Sequence, residues 1–326
     1  EWRMEALQII DMNEIENAGQ QANIPLALTK ALNDPSNLDS RYQISVILLT
    51  DGGLKVSSSP IDNAAASIRL LNDIAINFPD NNVPIHTIGL KQELDKEFLS
   101  NLAEKTSGLF EQSEKPEGLA EIYLNFLDIQ ENRSFIALNK NRFLIDESVH
   151  EFTLVAFPPE EGNAIEIVSP DGVIYRKDSF SKGSAWFENE SYVIFTSSNP
   201  VVGYWSIKSD RVYQARITVV SDLKIETTGF PNSIPVGSKN EFRVWFSSKE
   251  KKITNQDFLS SLDLELTTIA DPKNNSKILD VHKMTLLKSG EFRFLVPGFQ
   301  KAGRYSLTLN LAGKKFNRVL NNYFDV

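Results

Sequence analysis

Residues 44–53, ISVILLTDGG, constrain the fold more than any other stretch of this chain. Ile44 to Leu49 is apolar except for Ser45, and Thr50-Asp51-Gly52-Gly53 ends the run abruptly. An apolar run of that length closed by glycines predicts a strand covered on both faces, as parallel sheets require. Such a strand delivers the Asp51 carboxylate to the carboxyl edge of the sheet, where open α/β sheets bind ligands.

The flanking sequence supports that reading through residue 132. Helices are expected over Trp2–Ile15, over Asn23–Leu32 with Pro25 tolerated in the first turn, and over Ile61–Phe78. The last of these would place Ala65, Ile68, Leu71, Ile74 and Ala75 on one face. Ser57-Ser58-Ser59-Pro60 supplies its N-cap. Pro84–Leu90 reads as a second short buried strand, Asp95–Lys105 as a helix capped by Asp95, and Gly108–Phe110 as the lead into a third strand. Glu117–Leu127 reads as a closing helix. Strands alternating with helices predict a doubly wound parallel sheet of the α/β class.

After residue 132 the helical period fades. Short strand-like runs take over, at Glu151–Phe157, Ala164–Val168, Tyr192–Thr196, Tyr204–Lys208 and Arg216–Val220. Turn residues separate most of them, with Ser169-Pro170-Asp171-Gly172 the strongest turn signal. That pattern predicts β-sandwiches. Gly203-Tyr204-Trp205-Ser206-Ile207 and Gly303-Arg304-Tyr305-Ser306-Leu307 repeat one motif at a spacing of 100 residues, about the length of an immunoglobulin-like module. The expected organisation is therefore an α/β domain over 1–132 and two all-β immunoglobulin-like sandwiches over 133–222 and 223–326. Ser221-Asp222-Leu223 forms the joint, and a short helix is expected at Asp257–Leu262.

Composition bounds the chemistry. Residues 1–132 hold 21 acidic against 9 basic residues, so the whole of the net charge of −9 originates there. A balance of that sign argues against general nucleic-acid binding. It suits a surface for a cation or a basic partner, or simply a soluble one. The chain has no cysteine, which removes disulfides, thiol catalysis and cysteinyl metal sites. No apolar stretch approaches the roughly 18 residues of a membrane helix. The first residue is Glu1, which is read as the result of processing, proteolysis or design upstream.

The strings of the first part resemble von Willebrand factor A (vWA) domains. Thr50-Asp51-Gly52 is similar to the metal-site strand of that family, and Val83-Pro84-Ile85-His86-Thr87-Ile88-Gly89-Leu90 to its next strand. Asp95 to Ala103 followed by Thr106-Ser107-Gly108-Leu109-Phe110 is similar to the family's helix-to-strand stretch, with Ser107 in place of the first glycine. Leu119–Phe126 is similar to its last helix. The family's Asp-x-Ser-x-Ser motif and the first strand that carries it are absent from this chain. After the vWA-like strings come NRFLIDESVHEFTLVAF at 141–157, GYWSI at 203–207 and VVSDLKI at 219–225, and in that order the whole chain resembles gammaproteobacterial envelope proteins that join a signal sequence, a vWA domain, β-sandwich modules and often a C-terminal membrane anchor. That likeness implies a periplasmic or cell-envelope location, with any membrane anchor outside this sequence.

The resemblance also implies a metal site of hard oxygen ligands, suited to Mg²⁺ or Ca²⁺. Its third-loop ligand would be Asp51. The second-loop threonine falls on Ala22 within Gly19-Gln20-Gln21-Ala22-Asn23-Ile24, and an alanine methyl coordinates nothing. Asn23 could lend a carbonyl oxygen. Asp51 therefore either completes a cation site whose other ligands come from upstream, or caps backbone amides with no metal bound, and Ala22 favours the second. The absent strand would normally pair with Ile44–Leu49, so an exposed apolar edge is expected there unless an upstream fragment or partner strand covers it.

Other candidates are weaker. His86 is expected in the core, and His150 and His282 lie in different domains. None of the hydrolase, zincin or phosphate-loop strings occurs. Glu160-Glu161 reads as a solvated loop, Trp186, Trp205 and Trp245 as sandwich-core aromatics, and Trp2 as an anchor of the first helix. The expectation is a non-enzymatic interaction module of the bacterial envelope. It would bind a protein partner, through a carboxylate, at Thr50, Asp51, Gly52, Gly53, Ala22 and Asn23. No nucleic acid and no small-molecule substrate is expected. The alternative is a metal-free structural or assembly component of an envelope complex.

Overall fold

The computed structural model describes residues 22–33, 44–77, 83–91, 94–114, 117–131, 134–157, 165–189, 192–208, 214–228, 233–270, 277–296, 298–313 and 315–326. The helix expected at Trp2–Ile15, with Trp2, and the Glu160-Glu161 loop fall outside them. The chain divides into two compact units, Glu1–Pro116 and Glu117–Val326. Most of the described structure is strand, in large antiparallel sheets, with one small parallel sheet.

The first unit runs α1 (Ile24–Leu32), β1 (Val46–Thr50), α2 (Pro60–Asn77), β2 (Ile85–Gly89), α3 (Lys96–Lys105) and β3 (Phe110–Gln112). Asn23 starts α1 by accepting the Leu26 N–H, and Pro25 sits in the first turn, where its missing N–H costs nothing. Ser59 and Asp95 do the same for α2 and α3. The three strands are parallel in the order β1-β2-β3, paired Val46↔Ile85 through Thr50↔Gly89 and Thr87↔Phe110 through Gly89↔Gln112. All five residues of β2 are buried. β1 is only half buried, with Leu49 41% exposed, because among the described residues no strand pairs with its other edge. Ile24, Leu28 and Leu32 of α1, Ala66 and Leu70 of α2, Ile85, and Phe98, Leu99 and Leu102 of α3 form the core. The expected stripe of α2 is met in part: Leu71 packs against this core, whereas Ala65 and Ile68 face solvent, and Ala66, Leu70 and half-buried Asn63 and Ser67 face inward. The side chains of Ile74 and Ala75 lie outside the described ones. The inner face also carries polar residues that hold the loop before the helix.

The second unit opens with α4 (Glu117–Glu131). There follow β4 (Phe135–Ile136), β5 (Arg142–Ile145), β6 (Val149–Phe157), β7 (Glu166–Val168), β8 (Ile174–Tyr175), β9 (Ser184–Glu188), β10 (Val193–Ser198), β11 (Gly203–Lys208) and β12 (Gln214–Ser221). The chain continues through β13 (Leu223–Thr227), β14 (Asn240–Ser248), β15 (Lys251–Lys252), α5 (Gln256–Ser260), β16 (Asp263–Ala270), β17 (Lys277–Lys283), β18 (Thr285–Leu286), β19 (Phe292–Val296), β20 (Arg304–Ala312) and β21 (Asn317–Asp325). One nine-stranded sheet, β17-β16-β20-β21-β4-β12-β6-β10-β9, runs the length of the unit. A four-stranded sheet, β5-β11-β7-β8, covers one end over a core of Phe143, Phe152, Tyr175, Phe195 and Trp205. A sheet of β13-β14-β19-β18, with β15 beside β14, covers the other end over Phe242, Phe246, Phe294, Tyr305 and Phe324.

The second unit thus holds two hydrophobic cores that share one sheet. The joining piece is β4, whose Phe135 pairs with Val319 of β21 on one side and Thr218 of β12 on the other. Trp205 is fully buried and Trp186 packs against the same core. Trp245 departs from expectation. It alternates with core residues Val244 and Phe246, so its ring points to the outer face, under the Lys252 ammonium at 5.6 Å.

Candidate functional site

The strand register sets out the carboxyl edge of the parallel sheet. Thr50, Gly89 and Gln112 lie side by side, and the Leu90 N–H donates to Thr50 O at 2.9 Å. Asp51 is the first residue beyond that ladder, and Lys91 lies just beyond the neighbouring strand. Lys91 Nζ donates to Asp51 Oδ2 at 2.7 Å. Gln112 Nε2 in turn holds the Lys91 carbonyl at 2.5 Å. The hydrogen bond and charge of Lys91 hold the Asp51 carboxyl below its ordinary range, and Lys55 adds to the effect. Both partners are mostly exposed, so the pair adds little to stability.

The other expected site residues are spent locally. Thr50 Oγ1 donates to Gly52 O at 2.9 Å and accepts from the Gly52 N–H at 3.3 Å. The Lys55 N–H donates to Ala22 O at 3.0 Å, which brings Ala22 to the Asp51 loop by its backbone. Asn23 Oδ1 is taken by the α1 cap. The structure therefore links Ala22 to the loop after Asp51 by one backbone hydrogen bond, while Asn23 is occupied at the start of α1.

These residues do not fit a divalent cation. One carboxylate is present, an ammonium already neutralises it, and the neighbouring hydroxyl and amide oxygens are committed to backbone N–H groups. No group of three or more His, Cys, Asp or Glu residues able to hold a metal gathers among the described residues.

A cavity of about 540 Å³ opens beside the Asp51 loop, lined by Gly53, Lys55, Ser57, Ser58, Asn63 and Asp95 among others. Its wall is stiffened by Asn63, whose Oδ1 accepts from the Val56 and Ser57 N–H groups at 2.9 and 3.0 Å while its Nδ2 donates to Ser57 O at 3.0 Å. Sequence reasoning missed Lys91 and Asn63. The signal for Lys91 was partial: with Thr50 paired to Gly89, Asp51 falls level with Leu90, and Lys91 follows one residue later with a side chain long enough to reach back to the carboxylate. Nothing in the linear sequence distinguished Asn63 from any other polar residue early in a helix.

Among the described residues no helix is long and apolar enough to cross a membrane. No protein-family model and no curated protein matches the chain. Among solved structures it is similar to a DUF4785 family protein of Legionella pneumophila, at 12% identity over 59% of this chain and 59% of that one, with a TM-score of 0.37. It is similar to a von Willebrand factor type A protein of Catenulispora acidiphila, at 14% identity over 79% of this chain and 42% of that one, with a TM-score of 0.21. A third is the ArnB paralogue VWA2 of Sulfolobus acidocaldarius, at 14% identity over 95% of this chain and 47% of that one, with a TM-score of 0.26. The chain spans from 42% to 59% of the length of these structures.

Proposed function

We propose that the chain is a non-enzymatic binding module of the bacterial cell envelope. Its first unit is a vWA-like domain, and it engages a protein partner at the carboxyl edge of the parallel sheet without a metal. The observation that carries this reading is the Asp51–Lys91 pair. A carboxylate delivered to the ligand-binding edge of the sheet is neutralised by a lysine from the next strand, so no cation is needed to neutralise it. The cavity beside it and the nearby Lys55 offer a partner hydroxyl, amide and ammonium donors. The absence of hydrolase, zincin and phosphate-loop strings supports a binding role over a catalytic one. The envelope location rests on the order of the sequence strings.

A thermal-shift titration with Mg²⁺, Mn²⁺ and Ca²⁺ against EDTA, on this chain and on Asp51→Ala, tests the metal-free part. No Asp51-dependent shift is expected. A working site at about 100 times its Kd would add roughly 2.7 kcal/mol, and a shift of that kind lost in the variant would overturn the reading. Any turnover abolished by Asp51→Ala would overturn the non-enzymatic part. A second reading, a permanent assembly component, is favoured by the edge of β1, which no strand among the described residues pairs, and by its exposed Leu49. It requires a partner that co-purifies in fixed ratio and resists exchange.

A further inference from the structure

The outer face of the four-stranded sheet differs in character from its core face. Strand alternation turns Phe143, Ile145, Trp205, Ile207 and Ile167 into the core. The intervening residues therefore share the other face. Leu144 lies opposite Tyr204, Arg142 opposite Ser206, and Val168 opposite Ile174. Tyr204 is 57% exposed, and the Arg142 guanidinium stacks on its ring at 4.8 Å from the centroid. At one end, Lys208 and Arg176 both grip Glu166, at 3.0 and 2.5 Å. Arg176 and Lys208 thus share one carboxylate, while Arg142 lies over Tyr204 instead; the exposed Asp171 and Asp178 sit in the turns flanking β8. The result is an apolar centre with an exposed tyrosine, rimmed by Arg142, Arg176 and Lys208. It sits on a chain whose net charge is −9.

We infer that this face docks an acidic segment of a partner protein. Tyr and Arg are the side chains that dominate protein interfaces, and Arg142 presents the fork geometry that matches a carboxylate. One face of the Tyr204 ring is taken by Arg142, which disfavours the open stacking platform a sugar ring would use. The occupant is therefore a peptide that alternates aliphatic and acidic residues. Its aliphatic side chains cover Leu144 and Ile174, and its carboxylates reach Arg142 and Lys208.

The test uses the full chain and a fluorescent peptide of alternating glutamate and valine, read by anisotropy, with a valine–lysine peptide and a sulfated polysaccharide as competitors. The acidic peptide should bind, and binding should weaken as salt is raised. Tyr204→Ala and Arg142→Ala should each weaken it by roughly tenfold or more. Lys301→Ala, an exposed cation of the other sandwich, should leave it unchanged. Because Tyr204 and Arg142 are exposed, the thermal midpoint of both variants should stay close to that of the parent. No binding, binding indifferent to Tyr204 and Arg142, or displacement by the polysaccharide alone would each overturn the assignment.

Discussion

His86 is the second residue of β2 with 1% of its surface exposed, and its Nδ1 accepts the Leu109 N–H at 3.1 Å. Burial pushes the imidazole down to about 4. In the unfolded chain it protonates near its ordinary 6.5. Between those values the unfolded state holds the extra proton, so stability is lost as pH falls through that window, by up to roughly 3 kcal/mol. Denaturant unfolding of the parent and of His86→Gln from pH 7 to 4 should show a flatter dependence in the variant, and equal slopes would refute the assignment. Ser107 carries backbone strain. The helix α3 ends with the Gly108 N–H on Ala103 O at 2.8 Å, a closure that needs a left-handed residue before it. Ser107 fills that position at φ 57 where glycine is favoured. Ser107→Gly should therefore stabilise the fold, by about 0.5–1 kcal/mol measured by chemical denaturation. Gly108 itself is fixed by packing, since a Cβ there would fall 2.0 Å from Ile85 O.

At the scale of elements, the repeated G-x-aromatic-S-aliphatic motif proves to be a structural device. Gly203 opens β11 and Gly303 immediately precedes β20, at φ 137 and 149, a region closed to other residues. The aromatic two positions on then bonds the carbonyl four residues behind it, Trp205 Nε1 to Val201 O at 2.9 Å and Tyr305 Oη to Lys301 O at 2.8 Å. Each bond ties the strand to the loop that enters it. Tyr305→Phe keeps the ring and removes the donor, so it should cost about 1 kcal/mol in unfolding free energy, and a neutral result would show the bond to be idle. Elements of this kind were legible because their chemistry is local: the Asp95 and Ser59 caps, the Ser169–Gly172 turn, and strands bounded by turn residues. What was not legible depends on pairing between distant segments. The repeat places β11 in the four-stranded sheet and β20 in the nine-stranded one. No pattern within either motif encodes that choice. Trp245 faces outward for the same reason: a tryptophan in a strand reads as core until the parity of Val244 and Phe246 is known. Asp51 was found from its own strand, whereas Lys91, 40 residues away, needed the parallel register to bring it there.

Across the second unit the question is whether two sandwiches behave as two bodies or one. The shared sheet depends on the two residues of β4, a slight connection by itself. Beside it lies a buried polar lock. Arg318 of β21 is fully buried, and its Nη1 donates to Asp146 Oδ2 and to Asn317 O, each at 2.7 Å. Its Nη2 reaches Ser148 Oγ and Ser221 Oγ, each at 3.3 Å. Ser148 N–H donates to Asp146 Oδ1, and Ser221 Oγ accepts from the Leu223 N–H, so the corner before β6, the joint and β21 converge on one guanidinium. A buried ion pair is a weak source of net stability, but removing one partner strands the other charge in a low-dielectric site at a cost of about 3–5 kcal/mol. The lock therefore couples the sandwiches: neither core can open without exposing the pair to water or leaving half of it behind. Hydrogen exchange read by mass spectrometry should show the core strands β6 and β10 of one sandwich and β16 and β20 of the other opening with the same free energy in the parent chain. Arg318→Ala should lower both, and Arg318→Met, which fills the space without the charge but strands Asp146, should lower them as well. The double variant Arg318→Met with Asp146→Leu should recover much of the loss, because it removes the stranded carboxylate. Two different opening energies in the parent, or no recovery in the double variant, would show the sandwiches to be independent modules held by their linker.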